Sequence, residues 1–232
     1  MQKKWTDYQL ILFDMDGTLY FQRPLQIHMG LKMLFSCTTP SGFREMITVL
    51  KFRKLREHWE SSSLNDKADL TDAPLSDEAM DKAQYQALAG QTGISAEEIE
   101  KAVQKWIYQM PLTLLMRYRD HKLAEILKKY HLQTQVAIYS DYPATDKRDF
   151  LNLADVPCFY GGQKEICAMK PDPKGLRTIM EAYHINNPSD VLMIGDRFSK
   201  DGQAAINAGC DYFILKKHKF QRGKQYRALL SE

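Results

Sequence analysis

Two aspartates one residue apart, in the run Asp14-Met15-Asp16-Gly17-Thr18, follow directly on the apolar stretch 8–13. Carboxylates at that spacing can divide labour: one attacks an electrophile or binds a metal while the other trades a proton. Gly17 permits the tight bend that leaves a strand. A calcium loop of the EF-hand kind is excluded, because its sixth position needs glycine and this chain has Leu19 there. Alone, the run has a second reading as an ordinary acidic turn.

A second acidic cluster, Gly195-Asp196-Arg197-Phe198-Ser199-Lys200-Asp201, follows the apolar run 190–194. Mg²⁺ takes oxygen ligands, usually one or two carboxylates with water and substrate phosphate completing the shell. Asp14 and Asp196 at neighbouring strand ends could supply that pair. The same cluster also reads as a helix start, where the dipole favours acids. Ser140 comes after the run 135–139, and Lys170 stands in the rigid turn Lys170-Pro171-Asp172-Pro173. A hydroxyl and an ammonium are what a phosphoryl oxygen needs for charge neutralisation. Either one alone reads as a surface feature.

These residues require elements that bring them together. The runs 8–13, 135–139, 190–194 and 211–215, with a weaker one at 157–160, are continuously apolar, as strands of a parallel sheet covered on both faces must be. Helical patterns lie between them. Leu123, Ile126, Leu127 and Tyr130 share one face, and the stripe Ala204, Ala205, Ala208 closes at Gly209. Asp172-Pro173 reads as a cap with proline in the first turn, opening a helix through Tyr183. The alternation predicts a doubly wound α/β core, with ligands held beyond the carboxyl ends of its strands.

Residues 20–111 break that alternation. Helical patterns cover 43–60, 76–92 and 95–110, the last with Ser95 and Glu98 spaced as a capping box, and 61–71 reads as a loop or frayed helix end. The segment is expected to be a helical insert after the first strand, leaving 1–19 and 112–232 as the core. Arg44, Lys51, Arg53, Lys54 and Arg56 read either as its solvated face or as groups facing an anionic substrate; Arg23 and His28 are further candidates.

At 232 residues, 44% apolar and 26% charged, the chain can bury a real core. The net charge of +3 gathers in Lys216, Lys217, Lys219, Arg222, Lys224 and Arg227. Such a tail reads as a solvated segment packing Phe220, Tyr226 and Leu229 on the body, while leaving nucleic acid or an anionic surface open as a partner. Cys37, Cys158, Cys167 and Cys210 form no C-x-x-C pair, which favours reduced thiols over a disulfide frame or zinc site. No secretory signal and no run near the roughly eighteen apolar residues of a membrane span is present. The expectation is a cytoplasmic protein.

Taken together, the four clusters resemble the motifs of the haloacid dehalogenase-like (HAD) superfamily. Asp14 to Thr18 matches its first motif, Ser140 the second, Lys170 the third, and Gly195-Asp196 with Asp201 the fourth. The insert position is similar to that of the helical cap in phosphoglycolate-phosphatase-like and β-phosphoglucomutase-like members. The resemblance implies a Rossmann-like core, a cap that closes over the site, and Mg²⁺ as cofactor. It implies that Asp14 attacks phosphorus to form an aspartyl phosphate, and that Asp16 protonates the leaving oxygen and then takes a proton from water. Gly17, Ser140 and Lys170 would bind the phosphoryl group; Asp14, the backbone carbonyl of Asp16, and Asp196 would bind the metal, with Asp201 supporting through water. The dehalogenating branch lacks an acid at the Asp16 position.

The chain departs from the family pattern twice. Asp141 follows Ser140 where many relatives have asparagine, and Tyr20-Phe21-Gln22-Arg23 replaces the acidic or small polar residues common after the first motif. The expected function is Mg²⁺-dependent hydrolysis of a phosphomonoester on a small metabolite. A phosphomutase and a non-catalytic binding protein are the alternatives.

Overall fold

The computed structural model of the protein describes residues 3–61 and 77–230. In chain order its elements are β1 (Leu10–Phe13), α1 (Gln22–Ser36), α2 (Pro40–Ser61), α3 (Asp77–Thr92), α4 (Ala96–Val103), α5 (Met110–Tyr118), α6 (His121–His131), β2 (Gln135–Ser140), α7 (Thr145–Phe150), β3 (Cys158–Tyr160), α8 (Lys174–Ala182), β4 (Val191–Gly195), α9 (Gln203–Ala208), β5 (Asp211–Ile214) and α10 (Lys219–Leu230). The chain divides into two compact units, Met1–Gln22 with Met116–Glu232, and Arg23–Leu115. The polar stretch after Ser61, Ser76, the side chain of Leu229 and residue Glu232 lie outside the description.

In the first unit the described strands form one parallel sheet in the order β3-β2-β1-β4-β5. All of β1 is buried, as continuous hydrophobicity requires. Successive side chains alternate between faces. Leu10 and Leu12 join Ala137, Tyr139, Val191 and Met193 in packing against Leu176, Ile179 and Met180 of α8 and Ala204, Ala205 and Ala208 of α9. On the other face, Trp5 meets Phe13 at 6.3 Å, Phe213 at 5.6 Å and Tyr130 of α6 at 5.3 Å between ring centroids.

The register positions the site. Phe13 pairs with Ile138 on one side and Ile194 on the other. Asp14, Ser140 and Asp196 therefore emerge at the same end of the sheet, one or two residues beyond those partners. The strand order reverses between β1 and β4, and the crevice at such a reversal is where open α/β sheets bind ligands.

Local details differ from expectation. Helix α8 begins at Lys174, so Pro173 occupies the cap position rather than the first turn. Asp172 still serves, its Oδ1 accepting the Lys174 N–H at 2.8 Å. Phe220, expected to pack on the body, is 93% exposed, whereas Tyr226 is buried. The buried anchor of α10 is Arg222, a charge that sequence reading assigns to solvent.

The second unit is helical. Phe52, Tyr85, Leu88, Ile99 and Val103, from α2, α3 and α4, form its buried cluster. Ser95 Oγ accepts the Glu98 N–H at 3.2 Å and starts α4. The third insert helix was expected to stop at Met110, ahead of Pro111. It runs on through Tyr118 by way of a wider π-helical turn, Gln104–Gln109. Proline lacks an N–H and crowds the carbonyl four residues back, and widening the turn ahead of it relieves both. Among the basic residues of α2, Arg56 is committed internally: Nη2 donates to Asp81 Oδ1 at 3.1 Å and to Tyr108 Oη at 2.7 Å. Arg44, Lys51, Arg53 and Lys54 are exposed. Among the described residues no helix is long and apolar enough to cross a membrane.

Candidate active site

The structure brings Asp14, Asp16, Gly17, Ser140, Lys170, Asp196 and Asp201 to the carboxyl end of the sheet. Asp14 follows β1, while Ser140 and Gly195 are the last residues of β2 and β4 rather than the first beyond them. Asp14, Ser140, Lys170 and Asp201 are all buried.

Lys170 is the hub. Its Nζ donates to Asp14 Oδ1 at 2.6 Å and to Asp201 Oδ1 at 2.7 Å. Burial works against its charge, but the two carboxylates outweigh that penalty and hold the ammonium well above its ordinary range. The remaining oxygens have donors too. Thr18 Oγ1 donates to Asp14 Oδ2 at 3.0 Å, and the Arg197 N–H donates to Asp201 Oδ2 at 3.0 Å. Burial pushes the Asp14 carboxyl upward; Lys170 opposes this and Asp201 adds to it.

Asp14, Asp196 and Asp201 each present a carboxylate oxygen within 4.8 Å of the others. Lys170 bonds Asp14 and Asp201, while Asp196 Oδ1 is buried with no hydrogen-bond partner. Burial, then the nearby Asp201 charge, push Asp196 upward. An orphaned buried carboxylate oxygen beside two more carboxylates is the donor set a hard divalent cation takes, so these residues fit Mg²⁺. Gly17 keeps the space open: its φ is +89°, and a Cβ there would lie 2.5 Å from Asp196 Oδ2.

Asp141 does not add free charge to the site. One of its oxygens accepts the Lys170 backbone N–H at 2.8 Å, and the other faces Lys200 Nζ at 3.3 Å. The aspartate after Ser140 thus fixes the turn that delivers Lys170. Ser140 Oγ accepts the Tyr142 N–H at 3.3 Å, and its hydroxyl hydrogen is left for another acceptor.

Three residues that contact the site escaped sequence reading. Lys147 Nζ donates to both oxygens of Asp16, at 2.6 and 2.9 Å, and the Tyr20 hydroxyl donates to Asp16 Oδ1. Burial alone would raise the Asp16 carboxyl, but Lys147, helped by Tyr20, holds it below the ordinary range. Arg222 donates through Nη1 to Thr18 O at 2.8 Å and through Nη2 to Gly17 O. Tyr20 had a signal, its departure from the residues usual after the first motif. Lys147, on a six-residue helix, and Arg222, in a basic run, had none.

The fold recurs in solved structures. A 2-haloacid dehalogenase from Pseudomonas syringae pv. Tomato DC3000 is 15% identical at a TM-score of 0.61, covering 90% of this chain and 86% of its own. A magnesium-bound protein assigned as a HAD-hydrolase, YfnB from Bacillus subtilis, is 13% identical at 0.57, covering 96% and 98%. A predicted phosphoglycolate phosphatase from Haemophilus somnus 129pt is 18% identical at 0.53, covering 91% and 86%. At these identities the likeness is one of fold. No curated protein matches the chain. The model of the haloacid dehalogenase-like hydrolases matches residues 8–209, the span that carries every group described above except Arg222. The chain belongs to the haloacid dehalogenase-like hydrolase family.

Proposed function

We propose that the protein is a Mg²⁺-dependent phosphomonoester hydrolase acting on a small phosphorylated metabolite. The observation that carries this reading is the buried Lys170 ammonium joining Asp14 to Asp201, beside the unpartnered Asp196 oxygen. A nucleophilic carboxylate, a fixed cation and a metal-ready acid cluster then lie together at the carboxyl end of the sheet.

In the first half-reaction an Asp14 oxygen forms a bond to phosphorus as the phosphorus–leaving-oxygen bond breaks. Asp16, ionised at rest beside Lys147, takes up the proton that the phosphomonoester monoanion carries. The leaving oxygen then takes the bond pair and that proton from Asp16. In the second, Asp16 accepts a proton from water as the water oxygen attacks phosphorus, and the Asp14–phosphorus bond breaks to release inorganic phosphate. Lys170 and the Ser140 hydroxyl hold phosphoryl oxygens, supplying the positioning and charge stabilisation on which phosphoryl transfer depends. Asp14, Asp196 and the Asp16 backbone carbonyl would hold Mg²⁺, with Asp201 in support. Bound there, the ion would supply Lewis-acid charge neutralisation at the phosphoryl oxygens.

Displacing a halide requires no proton for the leaving group, so a half-buried acid held by two donors favours the phosphatase reading over dehalogenation. The test is a panel of phosphorylated metabolites assayed with Mg²⁺ and with EDTA, alongside Asp14→Asn. The expected result is Mg²⁺-dependent release of inorganic phosphate from at least one compound and loss of nearly all turnover in the variant. An isomerised sugar phosphate in place of free phosphate would indicate a mutase, and unchanged turnover in Asp14→Asn would remove the nucleophile.

A further inference from the structure

Asp16 is held from two sides by residues outside the four motifs. Lys147 Nζ lies 2.6 Å from Oδ1 and 2.9 Å from Oδ2, spanning the carboxylate like a bracket. The Tyr20 hydroxyl donates to the same Oδ1. Both Lys147 and Asp16 are mostly buried, with side chains 19% and 18% exposed. Tyr20 is itself fixed in place: it is 4% exposed, and its backbone bridges to Asp16 and to Arg119. The bracket is built by the same loop that presents Ser140. Five residues beyond that serine the chain enters α7, whose third residue is Lys147.

Resting on the phosphatase reading, we infer that Lys147 is a positioning residue for the proton-transfer step, aiming the Asp16 carboxyl at the leaving-group oxygen with Tyr20 as its second support. The physical need is specific. Asp16 gives up a proton to the leaving oxygen and so becomes negative as the phosphorus–oxygen bond breaks. It must then stand in the same place to take a proton from water. An ammonium fixed 2.6–2.9 Å away offsets the charge that develops. Two donors on one carboxylate also remove the rotamer freedom that would let it drift from the reacting oxygen. Lys147 touches Asp16 and acts through it.

That role has a signature which a scaffold role lacks. An alkyl phosphate has a strongly basic leaving oxygen and needs the proton from Asp16, whereas p-nitrophenyl phosphate leaves as a stabilised phenolate and hardly needs it. The experiment measures kcat and KM of wild type, Lys147→Met, Lys147→Arg and Tyr20→Phe on p-nitrophenyl phosphate and on the best alkyl phosphate found. Thermal melts of each variant check folding. Lys147→Met is expected to lose about 100-fold or more in kcat/KM on the alkyl ester, the range general acid catalysis supplies, and less than about fivefold in kcat/KM on the aryl ester. The ratio kcat/KM reports the first half-reaction, the only one in which the leaving group takes part. Lys147→Arg, whose fork also spans a carboxylate, is expected to recover part of the loss. Tyr20→Phe, which removes one hydroxyl, should show the same selectivity at smaller amplitude and serves if Lys147→Met does not fold. Equal losses of kcat/KM on both esters would overturn the assignment. A wild type inactive on both would sink the phosphatase reading, and this inference with it; an active wild type with unselective variants sinks the inference alone.

Discussion

Arg222 and Asp120, 102 positions apart in sequence, meet at 3.0 Å in the interior of the first unit, where each is at least nine-tenths buried. The same guanidinium serves the carbonyls of Thr18, Gly17 and Lys216 and lies 4.9 Å from the Phe21 ring centroid. Tyr226 Oη completes the cluster with a 2.6 Å bond to Asp120. Helix α10 is thereby tied to the loop that follows Asp14. Removing one partner of a buried pair leaves an uncompensated charge, so Arg222→Ala should cost about 3–5 kcal/mol. Urea denaturation would register this as a lower midpoint, and Arg222→Lys should recover little, because a single ammonium cannot span four acceptors. Arg222→Ala with Asp120→Ala should cost less than the two single changes added, since they share one interaction.

Gly17 makes a second, separable prediction. Its positive φ and the 2.5 Å approach of a hypothetical Cβ to Asp196 Oδ2 leave no room for alanine. The backbone strain alone is about 1–3 kcal/mol. The larger effect should be on the acidic cluster, because Asp196 must move for the loop to close. Calorimetry should find Mg²⁺ binding weakened more than overall stability. Gly17→Ala binding Mg²⁺ as wild type does would contradict the cradle.

What the sequence made legible is instructive at particular residues. The buried strands announced themselves because both faces of a parallel sheet are covered, so β1 and β4 have no polar positions to confuse the pattern. The acids at their ends were legible for the same reason, since a strand boundary tells where a side chain emerges. Lys147 and Arg222 were not legible. Each owes its importance to a partner more than 100 residues away, and nothing local distinguishes a buried lysine or arginine from a solvated one. Helix α1 was missed because only Leu25 and Met29 of its fifteen residues are buried, too few to set a period. Helix α5 was missed because the π-helical turn ahead of Pro111 hides the continuity.

The acidic cluster should make stability depend on both metal and pH. A ligand that binds only the folded state at a hundredfold excess over Kd adds about 2.7 kcal/mol. For a chain of this size that is an upward Tm shift of about 5–10 °C. Asp196→Asn should reduce the shift sharply. The pH dependence follows from the raised Asp196 carboxyl. A carboxyl raised on folding binds more protons in the folded state, so its contribution falls as pH rises from the ordinary carboxylate range through its folded value. In EDTA this group should favour stability at the acidic end of that window, and saturating Mg²⁺ should flatten its contribution. Melts of wild type and Asp196→Asn across pH, with and without Mg²⁺, isolate the effect; identical pH profiles for the two proteins in EDTA would refute it.

The last prediction separates what Lys170 does for the fold from what it does for chemistry. Lys170→Met leaves Asp14 and Asp201 facing each other without the ammonium that now bridges them at 2.6 and 2.7 Å. Two like charges in a buried site resist ionising together, so the variant should lose about 3–5 kcal/mol and shed nearly all turnover. Asp201→Asn in the same chain removes one of the opposed charges and should return part of the stability. It should return little turnover, because no cation is restored beside the nucleophile or the phosphoryl oxygens. If the double variant recovered activity in step with stability, Lys170 would be a support for folding alone, and the charge stabilisation assigned to it would have to come from elsewhere in the crevice.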